Sequence, residues 1–161
     1  MTDIQIRATR YGAPAARTLI GAAQADIAER YGGESDESPL EAIEFDPPEG
    51  CFMVAWLDGE PVACGGWRRH GHLAEDAGPD AVAEIKRMFT LPKARSRGVA
   101  TALLRALEDS AREAGMARMV LETGLRHPEA MAFYARSGYQ RIENYGFYRD
   151  EPDCVLFGRD L

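Results

Sequence analysis

Apolar and polar positions alternate along "IQIRATR" (residues 4–10), which predicts a strand. From Pro14 the period lengthens. Leu19, Ile20, Ala23 and Ile27 recur at helical spacing, so a helix is expected from Pro14 to about Tyr31, where "YGG" stops it. "SPLEAI" (38–43) then suggests a short helix inside a loop. The run "CFMVAWLDGEPVACGGWRR" (51–69) holds two β-rich segments around Asp58-Gly59, a pair suited to a hairpin turn because both central positions take positive φ. "GHLAEDAGPD" (71–80) reads as a polar loop and "AEIKRMFTL" (83–91) as a third long strand ended by Pro92. A helix follows to Ala114, stopped by Gly115, with Ala100, Leu103, Leu104, Leu107, Ala111 and Ala114 on one face. "MARMVLET" (116–123) is a buried strand, "PEAMAFYARSG" (128–138) a short helix, and "YQRIENYGFY" (139–148) and "CVLFGRDL" (154–161) two closing strands. The order β-α-(α)-β-β-β-α-β-α-β-β predicts a mixed α/β fold in one layered domain spanning residues 1–161.

Composition narrows the class. The 161 residues are 45% hydrophobic and 28% charged, ordinary values for a soluble globular chain. No apolar run is long enough for a membrane span, and the first ten residues lack the apolar stretch of a secretory signal. Cys51, Cys64 and Cys154 are odd in number and widely spaced, which points to a reduced, cytoplasmic setting with thiols as small core residues. The formal net charge of −7 argues against sequence-independent nucleic-acid binding. His70 and His72 lack an evident third ligand, so a solvated hairpin end is expected there rather than a metal site.

Charge is unevenly spread. Lys86, Arg87, Lys93, Arg95 and Arg97 fall in an acid-free stretch, where Gly98 stands between a strand and a helix. Unpaired N–H groups at a helix start, the helix dipole, a glycine without Cβ and several arginines together make an anion site suited to a phosphate or pyrophosphate. The competing assignment is a solvated basic turn. Neither a Walker loop nor a dinucleotide fingerprint is present. What is present is Arg95-x-x-Gly98-x-Ala100, set within "MFTLPKARSRGVATALLRAL" (88–107) and followed by "HPEAMAFYARSGYQRI" (127–142).

These two stretches, in this order and spacing, resemble the GNAT N-acetyltransferase superfamily. Its pyrophosphate loop reads Gln/Arg-x-x-Gly-x-Gly/Ala, and its last helix carries a recurrent Asn, Ala and Tyr. The corresponding residues here are His127, Ala130 and Tyr134, followed by Gly138 and Tyr139, so His127 stands where the family has Asn. Ser96 replaces a common glycine. The resemblance implies a mixed central sheet of about six to seven strands with helices on both faces. It also implies acetyl-CoA as cosubstrate, with no metal. Its pyrophosphate would lie on Arg95, Ser96, Arg97, Gly98, Val99, Ala100 and Thr101. Its pantetheine arm would pair with the backbone of Phe89, Thr90 and Leu91 and pass His127.

The resemblance further implies direct acetyl transfer to an amine acceptor, with Tyr134 as general acid at the departing thiolate. The bland alternative for Tyr134 is a core tyrosine. Glu84 and Glu122 are the candidate bases, directly or through water, and the competing assignment for both is an ion pair with Lys86 or Arg87. The aromatics of "NYGFY" (144–148) fall near the acceptor side in similar chains, or form an edge-strand cluster. A non-catalytic acyl-CoA-binding regulatory module on the same fold is the alternative to an enzyme. Seven acids from Glu34 to Glu49, with no basic residue among them, either attract a cationic amine or only solvate a loop. An edge strand near the C-terminus offers a surface for a homodimer.

Overall fold

The structure, a computed structural model, describes residues 2–33, 40–70, 81–145 and 149–161. The polar loop 71–80, Glu34, Asp36 and Glu37 of the acidic segment, His72, and the aromatics Phe147 and Tyr148 therefore lie outside the described residues.

Along the chain run β1 (Ile4–Ala8), α1 (Pro14–Arg30), β2 (Gly50–Leu57), β3 (Glu60–Arg69), β4 (Val82–Thr90), α2 (Val99–Glu113), β5 (Arg118–Gly124), α3 (Pro128–Arg136), β6 (Gln140–Ile142) and β7 (Cys154–Asp160). Short 3-10 turns occupy Ala42–Phe45 and Pro92–Ala94. The strands form one sheet in the order β1-β2-β3-β4-β5-β7-β6. All neighbours are antiparallel except β4 and β5. This is the mixed α/β layering that the element order predicted, and the mixed sheet of six to seven strands that the resemblance implied.

Alternation along the strands sorts side chains onto two faces. On one face Ala55, Ala63, Trp67, Ala83, Ile85, Met119, Leu121 and Phe157 pack against Val99, Leu103, Leu104, Leu107 and Ala111 of α2 and Tyr134 of α3. On the other, Phe52, Val54 and Cys64 pack against Ala16 and Leu19 of α1 and against Phe45. Leu103, Leu104 and Leu107 are fully buried, and each such side chain contributes about 1.5–3 kcal/mol relative to exposure. Among the described residues no helix is long and apolar enough to cross a membrane.

Two elements depart from the sequence expectation. The "SPLEAI" helix is a 3-10 turn, Ala42–Phe45, held by a capping box between Glu41 and Glu44. Among the described residues the penultimate strand is confined to Gln140–Ile142, the ones that pair with β7.

One irregularity positions the site. β4 carries a bulge against β3: Gly66 pairs with Lys86 but Cys64 with Phe89, so β4 gains a residue. Arg87 takes the extra position with φ of 59°. The phase of the strand flips there, since Ala83 and Ile85 face α2 before the bulge and Met88 faces it afterwards. β4 pairs with β5 only over Val82–Ile85 against Arg118–Leu121. Beyond that point β4 stays with β3, β5 stays with β7, and the sheet forks.

Candidate active site

The fork opens a cavity of about 930 Å³. One arm is lined by Lys86, Arg87, Met88, Phe89 and Thr90, the other by Leu121, Glu122, Thr123 and Gly124. Arg95, Ser96 and Ala100 line the end beside α2, while Phe133 and Tyr134 of α3 also face the cavity.

The turn into α2 has the geometry of an anion cradle. Gly98 is the N-cap with φ of 82°, a left-handed conformation, and a Cβ built on it would meet nothing within 4 Å. Conformation, with open space in front of it, is what calls for glycine here. Ser96 is also left-handed, φ 61°, which explains why glycine suits that position too. The first bond of this helix runs from Ala102 N–H to Gly98 O, 3.1 Å. The N–H groups of Val99, Ala100 and Thr101 therefore lack an intrahelical partner. Positive-φ residues on either side of Arg97, followed by the helix start, gather several backbone N–H groups on one concave surface. Val99 is buried in the core and Thr101 is exposed.

The basic side chains of the turn are partly committed. Lys93 Nζ bonds Glu60 at 2.6 Å and Arg97 lies 3.9 Å from Asp58, both acids belonging to the β2–β3 hairpin. Arg95 donates from Nε to Thr90 O at 3.1 Å and lies over the Phe89 ring. Backbone parity identifies which groups of β4 face the gap. Leu91 N–H bonds Val62 O, so Leu91 and Phe89 direct their backbone groups toward β3, and those of Met88 and Thr90 point into the fork. Of Phe89, Thr90 and Leu91, only Thr90 has its backbone at the open edge. Met88 joins it, and the bulge that brings Met88 there has no signature in residue type.

The two candidate carboxylates are placed differently. Glu84 is 2% exposed and absent from the cavity wall. Arg68 donates to it at 3.0 and 3.2 Å, His70 Nε2 lies 2.9 Å away and Lys86 Nζ 3.8 Å away. Burial pushes its pKa up, but the His70 bond and the charges of Lys86 and Arg68 outweigh burial and hold it below the ordinary carboxylate value. His70 is thus sequestered on Glu84, not solvated as a hairpin end, because β3 and β4 pair beside it. Glu122 lines the cavity. It follows Leu121, which pairs with Ile85, so Glu122 and Lys86 begin the two arms of the fork on the face opposite α2. Among the described residues no group of three or more His, Cys, Asp or Glu side chains could hold a metal ion.

Tyr134 is 5% exposed and packs its ring on Phe133, Tyr139 and Phe157 at 5.1–6.4 Å. Burial alone pushes its phenol pKa well above the ordinary value. It is both a core residue and part of the cavity wall, so the two readings of this tyrosine are compatible.

His127 lies at the start of α3 in the wall, half-buried, with its pKa lowered by burial and by Arg30. Sequence reading missed its neighbours, Asp26 and Tyr31 at the end of α1, because "YGG" signalled only a helix stop. Glu44 and Glu49 of the acidic segment are bonded to Arg68 and Arg69, so part of that segment serves β3.

Comparison with known proteins agrees with this geometry. Residues 18–139 match the acetyltransferase (GNAT) family. The chain is 32% identical over 135 residues to an IAA acetyltransferase of Azospirillum brasilense, covering 84% of this chain and 83% of that protein. A solved acyl-CoA N-acyltransferase of Klebsiella pneumoniae superposes with a TM-score of 0.79 at 26% identity, covering 98% and 97% of the two chains. A GNAT acetyltransferase of Elizabethkingia anophelis solved with acetyl-CoA bound shares the fold, with a TM-score of 0.67 at 17% identity over 98% of each chain. The chain belongs to the acetyltransferase (GNAT) family and is an acyltransferase.

Proposed function

We propose that this chain moves the acetyl group of acetyl-CoA directly to a primary amine, within a single domain. The observation that carries this reading is the fork between β4 and β5, with an anion cradle at one end and Tyr134 and Glu122 in its walls. Residues 95–101 receive the pyrophosphate on backbone N–H groups. The pantetheine arm enters the fork beside the backbone of Met88 and Thr90, displacing Arg95 from the Thr90 carbonyl. The thioester then lies near the point where the strands part.

An alkylammonium, with an ordinary pKa of about 10.4, must lose a proton before it can attack. Glu122 is assigned that proton, directly or through water, since it lines the cavity while Glu84 is enclosed by three cationic or basic groups. The amine forms the C–N bond, the C–S bond breaks, and Tyr134 gives its proton or a hydrogen bond to the departing thiolate, while the proton that the nitrogen sheds as the amide forms passes to the thiolate or restores the phenol. The raised pKa of Tyr134 keeps it protonated for this role. A cationic acceptor remains our expectation from the acidic segment.

The test is thiol release from acetyl-CoA across a panel of primary amines. Amine-dependent release with matching amide by mass spectrometry supports the reading. CoA binding without release for any amine contradicts it.

A further inference from the structure

The wall that carries His127 is built from two separate parts of the chain, the end of α1 and the turn from β5 into α3. Tyr31 Oη lies 3.3 Å from His127 Nδ1, with the rings 5.5 Å apart. On the other side of the imidazole, Asp26 Oδ2 lies 3.8 Å from Nε2. Each partner is itself held. Arg30 Nε bonds Asp26 at 3.0 Å. Arg30 and Arg126 each donate to the other's backbone carbonyl at 3.1 Å. The Arg126 guanidinium covers the Tyr31 ring. Gly124 admits the phenol so closely that a Cβ there would stand 1.7 Å from Tyr31 Oη.

Charge and geometry then bear on where the protons lie. Burial, with Asp153 nearby, raises the phenol pKa, so Tyr31 keeps its own proton and has it to donate. Nδ1, 3.3 Å away, accepts that proton when it carries a lone pair, the arrangement that also turns Nε2–H toward the Asp26 side. Burial and the Arg30 charge keep the imidazole neutral near pH 7, so its one proton sits on Nε2, as the Asp26 carboxylate also favours. At 3.8 Å that carboxylate is beyond hydrogen-bond reach, and the Nε2–H is left for a ligand in the cavity.

We infer that Tyr31 and Asp26 are positioning residues that lock His127 in the Nε2–H tautomer, and that this N–H serves an amide carbonyl of the CoA arm. The identity of the ligand rests on the acetyl-transfer reading, whereas the tautomer does not. α1 thereby sets the geometry of a cofactor contact, a coupling that a short asparagine at position 127 would not need.

Imidazole 15N shifts separate the two tautomers, and the chain has only three histidines to assign. At pH 7.5 without ligand, His127 should show a bare Nδ1 and a protonated Nε2, and Tyr31→Phe should convert this to a mixture. Acetyl-CoA affinity, read by calorimetry, should fall about fivefold in Tyr31→Phe, the loss of one ordinary hydrogen bond. With His127→Asn already in place, Tyr31→Phe should cost nothing further. If Tyr31→Phe does not fold, Asp26→Asn supplies the same readouts. An unchanged tautomer, or affinity losses that simply multiply in the double variant, overturns the positioning role. Failure of the wild type to bind acetyl-CoA overturns the acetyl-transfer reading and the ligand half of this inference, while the tautomer still decides the positioning half.

Discussion

Replacing Tyr134 by Phe separates the chemical role of one hydroxyl from its structural role. The ring contacts with Phe133, Tyr139 and Phe157 would survive, since none involves the oxygen. The hydroxyl belongs to a residue of the cavity wall and is not among the fully buried polar atoms left without a partner, so its removal should disturb the packing little. Stability should then stay within about 1 kcal/mol of wild type, or about 2–4 °C in Tm for a chain of this size. Catalysis should behave oppositely. Loss of a general acid typically costs about 10²–10⁴ in rate, equivalent to about 2.7–5.4 kcal/mol of barrier. The assay is single-turnover acetyl transfer by rapid quench at saturating amine, with acetyl-CoA affinity measured in parallel, so that slow product release cannot mask the chemical step. Because burial raises the phenol pKa above its ordinary value of 10.0, the wild-type rate should show no alkaline decline attributable to Tyr134 below that pH. A wild-type single-turnover rate in a stably folded Tyr134→Phe protein would refute the assignment.

Gly98→Asp should weaken acetyl-CoA binding by more than the ~0.3–1 kcal/mol of a surface helix-dipole effect, since it forces a left-handed φ on a side chain and sets a negative charge before the cradle; calorimetry reads this directly. Ser96→Gly should be neutral or stabilising by up to about 1 kcal/mol in urea unfolding, because φ of 61° suits glycine better than serine. Glu84→Gln should destabilise by about 3 kcal/mol, leaving Arg68 and Lys86 without their buried carboxylate. With its pKa depressed in the fold, Glu84 contributes stability that is present above the unfolded carboxylate value of about 4.3 and lost as pH falls through the folded one. A pH series of urea midpoints for wild type and variant should converge in acid. Glu122→Gln should lower kcat, read in the same thiol-release assay.

The parts of the site that were legible in the sequence are those written in local pattern. Arg95-x-x-Gly98-x-Ala100 lies in one turn whose positive φ demands glycine, and Tyr134 lies on a nine-residue helix that buries it. No local pattern announced the fork. Its immediate cause is a bulge at Arg87, and an arginine with φ of 59° is stabilised by its surroundings, not by its own preference. Glu84 and Glu122 looked alike as strand carboxylates. They differ because β3 delivers Arg68 and His70 onto Glu84, a consequence of strand register. Asp26 and Tyr31 meet His127 from the far end of the chain, and no local pattern records a contact of that kind.

The central claim is that the gap between β4 and β5 is the seat of acetyl transfer. A crystal structure of the chain with acetyl-CoA tests it most directly. The account predicts the pyrophosphate on the N–H groups of residues 96–101, the pantetheine arm beside Met88 and Thr90, and the thioester sulfur within hydrogen-bond distance of Tyr134 Oη. Acetyl-CoA bound outside the fork, or inside it with the sulfur out of reach of Tyr134, would contradict that claim.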